Sequence, residues 1–551
     1  MRGNARCAAR SNARGGEGAA AGTRAARQSW RRARHDGLSS TRLLATPPPA
    51  GGSPEVVSEH VDVLIVGAGL SGVGAGRHLQ VSCSGKTYAI FEARGAIGGT
   101  WDLFRYPGIR SDSDMYTLGY AFRPWSDAKS IADGSSILDY VRQTASENGI
   151  DEKVRFHHRV TSAQWSSDDA CWTVEAQRSD TGETVRISCS FLLMCSGYYR
   201  YDQGYTPEFP GIERFGGTVV HPQKWSEDVD YAGKRVIVIG SGATAVTLVP
   251  ALAERAAHVT MLQRSPSYIV SLPAEDPIAK LLRRVLPERV AYSLVRWKNV
   301  LLTLLSFQLS RRRPTLVKSL VRRAVQRRLP PGYDVDTHFK PQYGPWDQRL
   351  CLVPDGDLFE AICAEKVSMV TDRIQEFTRR GIRLQSGTEI EADLVVTATG
   401  LNLLALGGVN LVVDGRQIEL AETMSYKGMM LSEVPNLAIT FGYTNASWTL
   451  KADLTCEYVC RLLNHMDEHG YDCCAPRRDP SMAEQPFIDF SSGYVLRSID
   501  QFPRQGSRAP WRLYQNYALD VMSLRFGAIE DGTMEFSRAR ATDAVVEPVA
   551  A

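Results

Sequence analysis

Val61-Asp-Val-Leu-Ile-Val-Gly67-Ala-Gly69-Leu-Ser71-Gly72 is the stretch that decides the fold. An apolar run of strand character meets three glycines and opens an Ala/Gly-rich helix. Gly67 suits the tight turn, Gly69 lets a pyrophosphate approach the backbone, and Gly72 lets helix and strand pack closely. The helix N-terminus adds N–H donors and a positive dipole end. A second strand, Thr87 to Phe91, runs into Glu92, twenty residues after Gly72, where a carboxylate accepts from ribose hydroxyls. The unit reads as β-α-β.

Working outward, Lys234-Arg-Val-Ile-Val-Ile-Gly240-Ser241-Gly242-Ala243-Thr244-Ala245 opens a second such unit, with its second strand at His258 to Leu262. That strand leads into Gln263-Arg264-Ser265, where the first unit has its acid. An acid repels a 2′-phosphate and Arg264 can pair with one, so this unit favours NADPH over NADH. The plainer alternative for Arg264 is a solvated surface arginine. Phe191-Leu-Leu-Met-Cys-Ser-Gly197 and Asp393-Leu-Val-Val-Thr-Ala-Thr-Gly400 read as further strands. The expected fold is α/β: two Rossmann-like dinucleotide-binding domains, the NADPH domain inserted in a discontinuous FAD domain, with a helical insertion. The boundaries are 1–59 for a disordered Arg-rich extension, 60–205 and 390–526 for the FAD domain, 206–389 for the NADPH domain with its basic helices at about 277–330, and 527–551 for a flexible tail.

Composition narrows the class. The chain has 551 residues, 43% hydrophobic and 23% charged, enough for three or four structural units and unlike a collagen or mucin. The longest apolar run, near Asn299 to Ser310, is about a dozen residues and too short to span a bilayer. Eleven cysteines, an odd number without a CxxC pair, favour a reducing compartment, so a cytoplasmic location is expected. No zinc-type spacing occurs, and no metal is assigned. Residues 1–50 hold ten Arg against Glu17 and Asp36, without the apolar core of a secretory signal. An organelle transit peptide, a disordered tail and a start placed upstream of the true one stay open for that stretch. Residues 280–330 carry fourteen Lys or Arg against Glu288, so with +3 for the whole chain the remainder is acidic, at −18. Two readings of that basic stretch stand side by side. One is peripheral contact with an anionic membrane; the other is an amphipathic lid whose apolar face packs on the acidic body. Nucleic acid is not expected as a partner, because no stacking aromatics accompany the charge.

Phe215-x-Gly217-x-x-x-His221-x-x-x-Trp225, just before the second unit, resembles the signature of the flavin-dependent Baeyer–Villiger monooxygenases. Gly99-Thr100-Trp101 with Arg105-Tyr-Pro-Gly-Ile-Arg110-Ser111-Asp112 is similar to their second signature. The likeness runs from about Val61 to Phe526 and includes Gly442-Tyr-Thr-Asn-Ala-Ser-Trp448. Ser226 departs from it, since Pro or Asp usually follows the signature Trp. The resemblance implies FAD in the first cradle, NADPH in the second, and O2 and a small-molecule ketone or sulfur compound as substrates. It also implies a C4a-peroxyflavin that inserts oxygen into ketones or oxidises soft heteroatoms such as thioamide or sulfide sulfur. Asp347-Gln-Arg349-Leu matches the segment of the family's active-site arginine, whose fixed charge would steady an anion. Asp112 matches the carboxylate that orients it. Thr100, Trp101 and Asp102 would lie along the flavin, with Val160 on the adenine side. Arg110 and Ser111 would meet the nicotinamide side, and Ser241 to Thr247 (Gly242, Ala243, Thr244 and Ala245 among them) the NADP pyrophosphate. Two readings of Trp448 stand side by side: it lines the substrate pocket, or it packs in the core. His221 would serve a hinge between domains and not act as a base.

Three rivals remain. An N- or S-hydroxylating flavin monooxygenase without ketone activity typically carries another aromatic at the position of Trp225. A disulfide reductase needs a redox cysteine pair beside the flavin; the closest pairs, Cys456/Cys460 and Cys473/Cys474, fall elsewhere in the sequence. A non-catalytic flavoprotein sensor would have no use for Asp112 and Arg349.

Overall fold

The computed structural model describes residues 59–539 other than Arg349 and Asp489. The stretch read as an Arg-rich extension lies outside the described residues except for its last residue, and most of the tail's final half lies outside them too.

Strand β1 (His60–Val66) is buried on both faces, which is why its sequence is almost continuously apolar. Val63 and Ile65 face a core formed with helix α1 (Leu70–Ser82), while Leu64 and Val66 face a second core holding Trp165 and Trp172. On one side β1 pairs in parallel with β2 (Tyr88–Phe91), which pairs with the two-residue β3 (Val154–Arg155). On the other it pairs in parallel with β6 (Thr184–Met194), the last strand of an antiparallel meander with β4 (His158–Ser166) and β5 (Cys171–Arg178). Between β3 and β4 the chain breaks, and there His157 takes a φ of 63°.

A second sheet is wholly parallel. Its order is Val367–Thr371, β9 (His258–Gln263), β8 (Arg235–Ile239), Leu394–Thr397 and β7 (Thr218–Val220). Helix α2 (Ala243–Ala253) covers one face of it. Leu394–Thr397 sits between β8 and β7, so the boundary drawn at 390 falls one strand too early: this strand belongs to the second sheet. Its fourfold apolar run is a central strand of that sheet, and the chain returns to the first sheet only after Thr397. The basic stretch is helical, as α3 (Pro277–Val285), α4 (Glu288–Arg312) and α5 (Pro314–Gln326). A final long helix, α6 (Trp448–His469), packs along α1.

Two glycines are steric requirements. Gly67 has φ 105°, and a β-carbon there would sit 2.7 Å from the Cys195 carbonyl oxygen. A β-carbon on Gly72 would lie 1.9 Å from the Gly67 carbonyl oxygen. Alanine gains up to about 1 kcal/mol over glycine inside a helix, but overpacking costs about 1–3 kcal/mol or more, so the clash wins. Gly72→Ala is expected to lower the thermal midpoint and weaken flavin retention, read by calorimetry and by the absorbance of purified protein. An unchanged or raised midpoint would contradict this packing.

Candidate functional site

The first glycine-rich turn and the start of α2, which follows the second, open on one cavity of about 590 Å3. It lies beyond the carboxyl ends of β1, β2 and β6, bounded there by Val66, Glu92 and Cys195, where open α/β sheets bind ligands. Gly67, Gly69 and Ser71 form its floor, and Val160 of β4 flanks it. Ala243, Thr244 and Thr247 of α2 close it from the second layer.

Glu92 is buried and accepts from the Ala68 N–H at 2.7 Å and the Arg94 N–H at 2.9 Å. Burial raises its pKa despite those bonds. Thr100 and Trp101 line the cavity, and the Thr100 hydroxyl meets the Tyr201 hydroxyl at 3.1 Å. Burial pushes the Tyr201 phenol up to about 12, so it stays protonated at neutral pH. Asp102 is placed differently from the sequence reading. It is not among the lining residues, and its buried carboxylate accepts from Arg94 at 2.5 Å, Arg105 at 2.8 Å and Arg142 at 2.8 Å. It braces the wall from behind.

Arg110, Ser111 and Asp112 line the same cavity. Arg110 reaches across to Asp357 at 2.5 Å, at the first turn of the helix Asp357–Cys363 in the second layer. Ser111 is buried, its hydroxyl donating to the Ser113 carbonyl at 2.7 Å and accepting from the Ser113 N–H. Just before them, Gly108 lies so close to α2 that a β-carbon would meet the Thr247 carbonyl oxygen at 2.8 Å. Burial pushes the Tyr106 phenol, beside Thr244, up to about 12. Trp448 lines the cavity, and its indole N–H donates to the Ser71 hydroxyl at 2.8 Å while its ring stacks on Tyr198.

The remaining assigned positions are not among the cavity's lining residues. Gly240, Ser241, Gly242 and Ala245 build the second turn, and a β-carbon on Gly242 would meet nothing within 4 Å. Ser241 donates to the Ser265 carbonyl at 3.1 Å. Arg264, just past β9, is exposed, and among the described residues nothing pairs with its guanidinium. Arg349 lies outside the described residues. Leu352, three positions later, lines the cavity.

The Phe215–Trp225 signature lies at the crossover between the two sheets. His221 Nε2–H donates to the Gly400 carbonyl at 3.1 Å, and Nδ1 accepts from the Gln223 N–H at 3.2 Å. Both ring nitrogens are occupied and the ring is away from the cavity wall, an arrangement for holding linkers together. Tyr205 N–H also donates to the Gly400 carbonyl, which ties one crossing segment to the other. Gly217 has no room for a side chain, with the Asp393 carbonyl oxygen 2.4 Å from a would-be β-carbon. Phe215 packs edge-on to Phe377, and Trp225 lies against the core between the second sheet and α2.

Sequence reasoning missed the tyrosines. Tyr198, Tyr199 and Tyr201 line the cavity directly after β6, as does Tyr443. The cluster Gly197-Tyr-Tyr-Arg-Tyr201, at the end of a strand leaving a dinucleotide sheet, was the available signal. Cys456, Cys460, Cys473 and Cys474 are all free and none lines the cavity, which disposes of the disulfide-reductase rival. Outside the cavity, His465, His469 and Glu530 bring ligand-type atoms within 4.8 Å of one another.

The cavity fits a dinucleotide. Nε of Arg94 and Nε of Arg110 are buried donors without a hydrogen-bond partner, on two residues of its wall, and a β-carbon on Gly69 would meet only Gly99 backbone at 3.6 Å. A glycine-rich turn and the start of a helix that follows a second one, brought to one cavity, define a two-nucleotide oxidoreductase.

The chain belongs to the flavin-binding monooxygenase-like family, whose model matches residues 61–406. It is 57% identical over 484 residues to the FAD-containing monooxygenase EthA of Mycobacterium tuberculosis, covering 88% of this chain and 99% of that protein. The fold is that of an oxidised steroid monooxygenase bound to NADP, with a TM-score of 0.68 at 24% identity over 87% of this chain and 100% of that one. A cyclohexanone monooxygenase bound to ε-caprolactone matches with a TM-score of 0.68 at 20% identity over the same shares.

Burial lowers the pKa of His221, so the folded state holds the ring neutral. Its contribution is complete above the unfolded value near 6.5 and is lost as pH falls through the folded value. The stability advantage of the wild type over His221→Gln should therefore shrink between pH 7 and pH 5 in denaturant titrations. A pH-independent difference would contradict the neutral, doubly bonded ring.

Proposed function

We propose that this protein is an FAD-containing, NADPH- and O2-dependent monooxygenase that inserts oxygen beside a ketone carbonyl or places it on a soft heteroatom such as thioamide or sulfide sulfur. The observation that carries the reading is one cavity lined both by the first dinucleotide turn and by the start of α2, the helix that follows the second. Bound FAD, reduced by NADPH, supplies the oxygen activation.

The chain's own residues do the rest. The FAD half, 60–205 together with the chain beyond Thr397, presents Gly67, Gly69 and the α1 N-terminus to a pyrophosphate and Glu92 to a ribose. In the NADPH half the open face at Gly242 admits a second pyrophosphate, and the unpaired Arg264 meets a 2′-phosphate. Arg349 steadies negative charge on oxygen, and Asp112 orients it. Support comes from Asp112 and Leu352 lining one cavity. Trp448 and Tyr198, stacked on each other and both lining the cavity, form an aromatic wall that keeps water out.

A panel of ketones and sulfides, with products identified by mass spectrometry, tests the activity. Esters or lactones from ketones support the Baeyer–Villiger reading; sulfoxides alone would leave the heteroatom-oxidising alternative; no oxygenated product would end both. Arg349→Ala should lose product formation while keeping bound FAD, and Asp112→Ala should lose less. Arg264→Ala should raise the KM for NADPH by roughly ten-fold or more, since a charge-assisted contact is worth about 1.5–3 kcal/mol, and leave the KM for NADH unchanged. Equal use of both nucleotides by the wild type would contradict the role given to Arg264.

A further inference from the structure

The lid reading of the basic helices requires their apolar face to pack on the body and their charges to find acids there. The first requirement is met by only one face of α4. Ala291, Tyr292, Val295 and Val300 are buried. The Tyr292 hydroxyl donates to the Tyr120 carbonyl at 3.0 Å, and Arg296 donates to the Tyr116 and Gly119 carbonyls at 2.7 Å each. Asn299 donates to Asp114 at 2.8 Å. The helix is thus anchored through its inner face.

Its outer face is apolar as well. Val290, Leu294, Trp297, Leu301, Leu305 and Leu309 follow one another at three- and four-residue steps, from 42% exposed at Leu309 to 65% at Leu305. Ile278, Leu281 and Val285 continue the pattern on α3, and Leu316 and Leu320 on α5. Of the twenty exposed large apolar side chains among the described residues, twelve lie between 278 and 320, so the exposure is concentrated and not scattered. A sequence-distant segment joins them. Trp297 packs on Tyr517 with ring centroids 5.6 Å apart, and beyond it Leu519, Met522 and Phe526 are exposed.

The charges point the same way. Among the described residues the body's acids engage Lys280, Arg296, Lys298, Arg311 and Arg322. Arg284, Arg289, Arg312, Arg313, Lys318, Arg323 and Arg327 form no ion pair with a described residue, and all but Lys318 are exposed. Seven free cations beside an apolar stripe match the headgroup layer of an anionic bilayer, which takes apolar side chains into its acyl boundary and cations at its phosphates. A second copy of this chain would bring like charge against like charge. No helix among the described residues is long and apolar enough to cross a membrane, so contact is along the surface.

We infer that α3, α4, α5 and the 517–526 segment form a docking surface for an anionic membrane. Holoenzyme would be sedimented with phosphatidylcholine vesicles and with vesicles containing phosphatidylglycerol, at low and at high salt. Binding to the anionic vesicles only, weakened by salt, is the expected result. Arg312→Gln, Arg313→Gln, Lys318→Gln and Arg323→Gln together should lower the partition more than a hundred-fold, at about five-fold per charge, with flavin absorbance and NADPH consumption unchanged. Should that variant lose its flavin, the wild type's dependence on lipid charge and salt decides alone. No binding to anionic vesicles at low salt overturns the proposal. So does equal binding to neutral ones, or a dimer that ignores vesicles and is split by Leu301→Asp with Leu305→Asp.

Discussion

The segment Phe104–Asp112 leaves the first sheet's half of the chain and sets Phe104 and Tyr106 in the core of the second. Phe104 and Tyr106 pack with Val246, Leu248 and Phe359, Gly108 presses on α2, and Arg110 closes on Asp357. The cavity depends on this insertion, which lines it through Tyr106, Ile109, Arg110 and Asp112 between the first glycine-rich turn and the start of α2. Gly108 is the tightest point: with φ 72° and a neighbouring carbonyl oxygen at 2.8 Å from any β-carbon, no larger residue fits without moving α2. Arg110 then brings a cation to the cavity wall whose partner, Asp357, comes from the opposite half, so the wall's charge balance depends on the two halves being together.

The linker side has a complementary design. His221, Gly400 and Tyr205 tie the two crossing segments by hydrogen bonds to a single carbonyl oxygen. The same segments are joined further by Arg200 N–H to the Asn402 carbonyl and Leu404 N–H to the Tyr198 carbonyl, so backbone bonds hold this crossover where packing holds the Phe104–Asp112 insertion.

The two β-α-β units were legible in the sequence because their information is local: apolar strand, glycines and helix follow one another within a dozen residues. Glu92 came with the first of them, as the residue that follows its second strand. The residues that depend on the third dimension were not. Asp102 reads like a cofactor neighbour because it follows Thr100 and Trp101, yet the four-residue helix Thr100–Leu103 turns its side chain behind the wall toward Arg94, Arg105 and Arg142. The Arg110–Asp357 pair joins positions 247 apart. The strand Leu394–Thr397 carried the right pattern but no sign of which sheet would accept it. The basic helices showed their periodicity, but not that two faces of α4 are apolar and only one is covered.

The central claim is that the shared cavity lets a flavin and a nicotinamide act together on dioxygen and one small substrate. Turnover under heavy-isotope dioxygen with a sulfide or a ketone tests this directly, with NADPH consumption followed alongside. The account predicts one labelled oxygen atom in each product molecule and one NADPH consumed for each. Unlabelled product, or label found only in hydrogen peroxide and water while the substrate is recovered intact, would contradict it.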